Sequence, residues 1–330
     1  MTPALSLLLL APAMTLLVAL ALGPLRRLLL KAELLDRPNE RSSHAVPTPR
    51  GAGLVVLPLA ILVWLVADRC APLPGRFWAV ALAALALVAF SAFDDRKSLS
   101  AGLRLAVHAL AVALGLWALP ADFSLTQGLL PRAVDLGLAF IAWLWFLELT
   151  NFMDGIDGIT GVEAGTIVLG LLLLVVVGAL PVGLAGPLLA LLGALFGFLA
   201  WNWPPAAIFL GDSGSVPLGF LIGWLLLLAA GAGLWPVVLI LPLYYWADAT
   251  ITLLRRLWRR ERVWQAHRQH FYQRAAGDGS HAPVALAIFL ADLGFVALAL
   301  WSRAEPGWAL AAAAALVLLL LGWLARRAAG

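Results

Sequence analysis

Stretches of about 20 apolar residues recur from Ala4 to Ala325, and this recurrence limits what the chain can fold into more than any other feature. A run of that length crosses the hydrocarbon core as a helix. In lipid every backbone N–H and C=O must be satisfied internally, which a helix achieves within its own segment. Of the 330 residues, 63% are hydrophobic and 12% charged, against roughly 45–50% and 25% in soluble domains. A soluble enzyme is therefore excluded. Spans are read at 3–24, 52–68, 77–93, 103–120, 133–150, 160–179, 183–201, 214–231, 233–251, 283–302 and 307–325. The expected fold is all-α and polytopic, with about eleven transmembrane helices (ten being the lower count) in one transmembrane domain over 1–330. At about 20 residues per span, no room is left for a separate soluble domain.

The basic residues set an expected orientation. Eighteen of the 22 Lys and Arg fall in the stretches 25–51, 94–104 and 252–282 and at the C-terminus, and such asymmetry marks the cytoplasmic side. The N-terminus is then outside and the C-terminus inside. The first span is followed at once by Arg26, Arg27 and Lys31, as expected of a retained helix in place of a cleaved signal. Loops 150–160 and 201–214 also face the cytoplasm in this topology. The net charge of +4 is thus a matter of orientation, and no nucleic-acid partner is expected. Cys70 is the single cysteine, which excludes disulfide frameworks and paired-cysteine zinc sites.

Most acidic residues gather at that same side. They form Asp94-Asp95 followed by Arg96-Lys97, the run Asn151-Phe-Met-Asp154-Gly-Ile-Asp157-Gly158, and Phe209-Leu-Gly211-Asp212-Ser213-Gly214. Carboxylates at a membrane boundary persist where they line a wet cavity, pair with a cation or bind a metal. Asp94-Asp95 alone reads equally well as a solvated helix end. Asp154 and Asp157 have no nearby basic residue in sequence to compensate them. Gly211 to Ser215 opens a span and can present amides to a phosphate, or serve as an ordinary helix cap. Oxygen donors with few histidines suit Mg²⁺, or Mn²⁺ in its place, shared with substrate phosphates. The mid-span positions read as almost free of charge, which counts against an ion-coupled transporter, the alternative from another functional class.

The last basic loop carries Arg255 to Arg262, which reads as an anchor to anionic headgroups. Then come His267, Arg268 and His270, read as phosphate or sugar contacts. The first loop, from Asp36 to Gly53, is too polar and proline-rich to be a helix, and it can deliver His44 and Arg50 to the same face. His108 reads as a packed or interfacial histidine. The whole suggests a metal-ready acidic centre ringed by basic groups, suited to phosphoryl transfer.

These segments, in this order, resemble the polyprenyl-phosphate N-acetylhexosamine-1-phosphate transferases. The resemblance rests on the Pro38 to Gly51 loop, Asp94-Asp95, Asn151 with the Asp-Gly-Ile-Asp-Gly run, Asn202 ten residues before Asp212, Phe209-Leu-Gly-Asp-Ser, and Asp248 followed by Arg255-Arg256 and the histidine loop. It implies transfer of a sugar 1-phosphate from a UDP-sugar to undecaprenyl phosphate at the bacterial inner membrane, with release of UMP and dependence on Mg²⁺; membrane lipids are further partners, and a homodimer is allowed. By motif, Asp212 and Asn151 would hold the metal, while Asp94, Asp95, Asp154 and Asp157 would form the catalytic acidic set. Asp94 or Asp95 would orient the lipid phosphate. Phe209 would stack on uracil, and Asn202 and Asp154 would shape its pocket. Lys97, His267, Arg268, His270, His44 and Arg50 would contact the phosphates or sugar. Relatives of the peptidoglycan branch carry consecutive histidines where this chain reads His-Arg-Gln-His, which places it nearer the O-antigen and surface-polysaccharide branch. The phospho-N-acetylmuramoyl-pentapeptide transferase reaction is the alternative.

Overall fold

The computed structural model describes residues 3–38, 43–44, 46–70, 72–262, 267–277, 279 and 281–329. Asn39 and Arg41 of the first-loop motif lie outside them. The helices are α1 (Pro3–Lys31), α2 (Gly53–Cys70), α3 (Phe77–Lys97), α4 (Ala101–Ala118), α5 (Arg132–Phe152), α6 (Ile159–Val176), α7 (Ala185–Asn202), α8 (Asp212–Gly231), α9 (Trp235–Ile240), α10 (Leu243–Trp258), α11 (Phe271–Ala276), α12 (His281–Trp301) and α13 (Pro306–Arg327). Nine helices among the described residues are long and apolar enough to cross a membrane. The remaining assigned spans correspond to α2 and to α9 with α10. The all-α membrane architecture stands.

The span read at 233–251 is corrected: it is two helices. Pro242 has no N–H to continue the ladder, so the chain turns at Leu241-Pro242 and α10 runs on to Trp258. The expectation that mid-span positions are nearly free of charge is corrected too. Glu163 in α6 and Asp292 in α12 are fully buried, and the Thr166 hydroxyl lies 3.3 Å from Asp292 Oδ2. Helices α6 and α12 pack on each other, so these acids face the bundle interior and not lipid.

At the centre stands α8, packed by α2, α3, α5 and α6. Lipid tails are as apolar as leucine, so close packing must hold such helices together, and small residues permit it. Where α2 and α8 begin they meet backbone to backbone: a Cβ on Gly53 would stand 2.3 Å from the Gly214 Cα. This contact fixes Arg50, three residues before Gly53, against Asp212, two before Gly214. Gly53→Ala is expected to cost about 1–3 kcal/mol, since backbone cannot rotate away from the added methyl. A melting temperature in detergent equal to that of the parent chain would show the contact to be looser.

The loops at this end are tied together. A two-residue antiparallel pair, β1 (Leu35–Asp36) with β2 (Thr48–Pro49), closes the first loop. Phe209 N–H donates to the Pro49 carbonyl at 2.8 Å, and the amides of Gly51 and Ala52 donate to the Phe209 carbonyl at 3.0 Å. A proline-rich segment distant in sequence is thereby stitched to the turn that precedes α8.

Candidate active site

Six chain segments converge at the loop-bearing end of α8 around a cavity of about 330 Å³. Its walls include His44, Arg50, Asn151, Asp154, Asp157, Asn202, Phe209 and Asp212. Eight of the sequence-predicted residues thus share one cavity. A second cavity of about 300 Å³ shares Asp36 and Arg50 with the first and is lined also by Asp95, Arg96 and Ser213.

Arg50 is the electrostatic centre. One guanidinium nitrogen sits 2.8 Å from Asp95 Oδ1 and also bonds Asp212 Oδ1. Burial works against its charge, but Asp212 and Asp95 outweigh burial and hold its pKa above the ordinary value. Two carboxylates this close would repel strongly without a cation between them. The guanidinium is standing where positive charge is required.

Asp94 and Asp95 point apart. Asp94 is buried, accepts the Leu99 amide at 2.6 Å and faces Arg104 at 3.6 Å. It stabilises the α3–α4 turn, whereas Asp95 turns to Arg50. Arg104, from the first turn of α4, also reaches Asp212 Oδ2 at 4.0 Å. Sequence reasoning missed it, because nothing local distinguishes one arginine at a helix start from another. Lys97 is exposed and lines neither cavity.

Within the Asn151–Gly158 run, the Thr160 hydroxyl donates to Asp154 Oδ1 at 2.6 Å. Burial pushes Asp154 up to about 6, against the opposing effects of Thr160 and Arg50. Asp157 accepts the Ala206 amide at 3.0 Å and lies 3.2 Å from His281 Nδ1. His281 in turn reaches the Ser43 carbonyl at 2.7 Å. Asp157 and His281 therefore latch three loops, and His281, at the head of α12, is another residue the sequence reading passed over. Asn202 spends both polar ends inside the protein, accepting from Gly158 N–H at 2.9 Å and donating to the Ile208 carbonyl at 3.0 Å. It shapes the cavity floor. Phe209 presents its ring edge-on to His44, 4.9 Å between centroids.

The histidine loop lies elsewhere than expected. His267, Arg268 and His270 line neither cavity, and Gln273 from the same loop does. The cause is Asp248. This fully buried carboxylate accepts from the amides of Phe271 and Tyr272 at 3.0 and 3.2 Å, the Tyr244 hydroxyl at 3.0 Å and the Thr252 hydroxyl at 3.2 Å, with His270 Nδ1 also at 3.2 Å. A buried carboxylate must gather donors, and in doing so it draws the loop inward. Burial, His270 and Arg256 push His267 down to about 4, so its ring is neutral near pH 7. Gly155 permits the closest approach of this loop, since a Cβ there would stand 2.3 Å from the Tyr272 hydroxyl. His108 is packed, as expected, but its ring lies 2.7 Å from Glu148 of α5.

Carboxylate and amide oxygens of Asp212, Asp95 and Asn151 are hard donors of the kind Mg²⁺ takes. No group of three acidic, histidine or cysteine side chains among the described residues makes a closed metal cage. An ion here would be completed by phosphate and water, which suits Mg²⁺ better than a metal that demands protein ligands throughout.

The glycosyl transferase family 4 sequence profile matches residues 77–230. The chain is 33% identical over 258 residues to the phospho-N-acetylmuramoyl-pentapeptide-transferase of Synechococcus sp. (strain RCC307), covering 72% of this chain and 70% of that one. It is 29% identical over 297 residues to the probable undecaprenyl-phosphate N-acetylglucosaminyl 1-phosphate transferase of Bacillus subtilis (strain 168), covering 86% and 80%. It is also similar to the decaprenyl-phosphate N-acetylglucosaminephosphotransferase of Mycobacterium tuberculosis (strain ATCC 25618 / H37Rv), 28% identical over 312 residues, covering 82% and 76%.

Proposed function

This chain belongs to glycosyl transferase family 4, and on that premise we propose that it moves an N-acetylhexosamine 1-phosphate from a UDP-sugar to undecaprenyl phosphate, releasing UMP at the cytoplasmic face of a bacterial inner membrane. The observation that carries the reading is the single cavity in which Phe209, Asp154 and Asn202 lie beside Arg50 and Asp212. A base-stacking ring and a shaped polar floor thus adjoin a charge centre built for a diphosphate.

In the proposed reaction an oxygen of the lipid phosphate attacks the sugar-linked phosphorus in line. The bond from that phosphorus to the bridging oxygen breaks, and the electron pair leaves with UMP. A phosphate monoester, with its second pKa about 6, is largely dianionic at neutral pH, so Asp95 orients the nucleophile and need not take its proton. Arg50, which lines both cavities, holds the charge on the transferred and leaving phosphates, and Arg104 acts through Asp212. Asp212 and Asn151 would hold Mg²⁺, which when bound would supply Lewis-acid neutralisation of the diphosphate. Phe209 fixes the uracil end, so the diphosphate is presented in one register.

The sequence of the last loop, where His267 and His270 are separated by Arg268-Gln269, supports a donor sugar of the class used for O-antigen or other surface polysaccharides. The relative that acts as a phospho-N-acetylmuramoyl-pentapeptide-transferase favours a second reading, the peptidoglycan donor. Purified protein given undecaprenyl phosphate, Mg²⁺ and a panel of UDP-N-acetylhexosamines and UDP-MurNAc-pentapeptide separates the two: the donor that yields lipid-dependent UMP names the reaction. No UMP from any of them would sink both readings.

Phe209→Ala is expected to raise the donor KM by the equivalent of about 1–3 kcal/mol, the worth of stacking on a base, with a smaller effect on kcat. An unchanged KM would remove the stacking role. Asp154 supplies a pH test. Its pKa is raised on folding, so the folded state holds that proton more tightly. The stabilising contribution is fully present below the unfolded value near 4 and is lost as pH rises through about 6. Asp154→Asn is therefore expected to stabilise the protein by about 1–2 kcal/mol at pH 7.5 relative to pH 4.5, while lowering transfer. Parallel stability curves for parent and variant across that window would refute the assignment.

A further inference from the structure

We propose that the second half of α10 is a docking surface for anionic phospholipid headgroups, separate from the substrate cavities. The first half of the helix is built into the bundle, with Tyr244, Tyr245, Asp248, Ala249 and Thr252 buried. The second half emerges. Leu254 is 59% exposed, Leu257 61% and Trp258 90%. Their spacing of i, i+3 and i+4 puts them on one face. Arg255 and Arg259, also exposed, lie along the neighbouring face, and Arg260 and Arg262 follow directly.

The length of the helix places this surface. Sixteen residues extend about 24 Å, whereas half the hydrocarbon thickness is about 15 Å. A helix that begins at the Leu241-Pro242 turn inside the bundle must therefore carry its last turns to the headgroup layer, at the end where the loops of the site gather. An apolar stripe edged by arginines at that depth is the surface that inserts beside anionic headgroups and pairs with their phosphates. Water alone would leave Leu254, Leu257 and Trp258 uncovered, and neutral lipid would leave Arg255, Arg259, Arg260 and Arg262 in excess over Glu261, the carboxylate near Arg259.

The surface is mechanically joined to the functional loops. Arg255 stacks over the Phe271 ring at 4.7 Å, and Asp248, two turns back on the same helix, binds the amides that open α11. Seating α10 in headgroups thus sets the platform on which Gln273 reaches the cavity. The inference is independent of which sugar is transferred.

The lone cysteine makes the test practical. In a Cys70→Ser chain reconstituted in mixed phosphatidylglycerol and phosphatidylcholine vesicles, an environment-sensitive fluorophore on Leu254→Cys reads the surface. The same label on Leu319→Cys, a 72% exposed position of α13, reads the bulk lipid annulus. Nitroxide-bearing phosphatidylglycerol is expected to quench position 254 several-fold more than nitroxide-bearing phosphatidylcholine, and to quench position 319 no more than it. Arg259→Gln and Arg260→Gln should each reduce that preference about fivefold, the factor equivalent to ~1 kcal/mol per arginine near an anionic surface, and raised salt should reduce it as well. Equal quenching by the two lipids at position 254 would overturn the proposal. So would a preference that neither salt nor the substitutions move. The salt titration uses the arginines intact, so a poorly folding variant does not decide the outcome.

Discussion

Asp212→Asn is expected to abolish UMP release at every Mg²⁺ concentration while leaving the bundle folded. Asp212 sits at the first position of α8, and its carboxylate takes Arg50 on one oxygen and faces Arg104 on the other. An amide keeps the shape but removes the charge that both arginines and the proposed metal need. It also turns one acceptor into a donor facing a guanidinium group. Losing a charged group that acts on the transferring phosphoryl is worth about 10³-fold or more. The fold should survive, because α8 is held along its length by α2, α3, α5 and α6 and not by this one side chain. The check is turnover with Mg²⁺ titrated upward, alongside the melting temperature. Near-normal turnover, or recovery at high Mg²⁺, would sink the assignment of Asp212 as the indispensable oxygen donor.

Arg50→Ala is the second large effect. The guanidinium is the only group that touches both Asp95 and Asp212 among the described contacts, so its removal leaves two carboxylates facing one another across a gap. Truncating one member of such a cluster costs more than the pair itself is worth, since the remaining charge is stranded. A fall in kcat of about 10²-fold or more is expected, together with a lower melting temperature in chelator that added Mg²⁺ restores. Arg50→Lys should recover only part of the activity, because an ammonium is a point charge and cannot span two carboxylates as a planar fork does. If the alanine variant kept its activity, or if lysine restored it fully, Arg50 would be a bystander.

How much of this was legible beforehand follows from what kind of information each feature needs. The helices were, because apolar runs of spanning length have few ways to satisfy a backbone in lipid, and the expected spans overlie α1 to α8, α12 and α13 to within a few residues, apart from an extension of α1. The cavity was partly legible. Asn151, Asp154, Asp157, Asn202, Phe209 and Asp212 come from compact polar runs interrupting apolar ones, and those runs gather where such spans end. His44 and Arg50 were placed on the right face by the stiffness of their loop.

What failed was pairing at long range. Asp94 and Asp95 are adjacent and look equivalent, yet helical geometry sends one to Arg104 and the other to Arg50. Arg104 and His281 carry no local signal, and their place in the site arises from residues more than 100 positions away, Asp212 for Arg104 and Asp157 and Ser43 for His281. His267, Arg268 and His270 looked like a cavity wall because they are polar and close together. The demand of one buried carboxylate, Asp248, for hydrogen-bond donors outweighed that tendency and brought Gln273 to the wall in their place. Glu163 and Asp292 escaped notice because a lone acid in an apolar span reads as an isolated exception until its partner appears on another helix.

The amino-acid sequence by itself determined that this is a helical membrane protein with its acidic and aromatic chemistry gathered where the spans end, since hydrophobic length and charge placement act locally and additively. Only the tertiary structure decided that Arg50 stands between Asp95 and Asp212, that Asp157 latches the loops, and that α10 breaks and then leaves the bundle with an uncovered face. Those outcomes depend on which buried charges find which partners, and that choice is made by packing across the whole bundle.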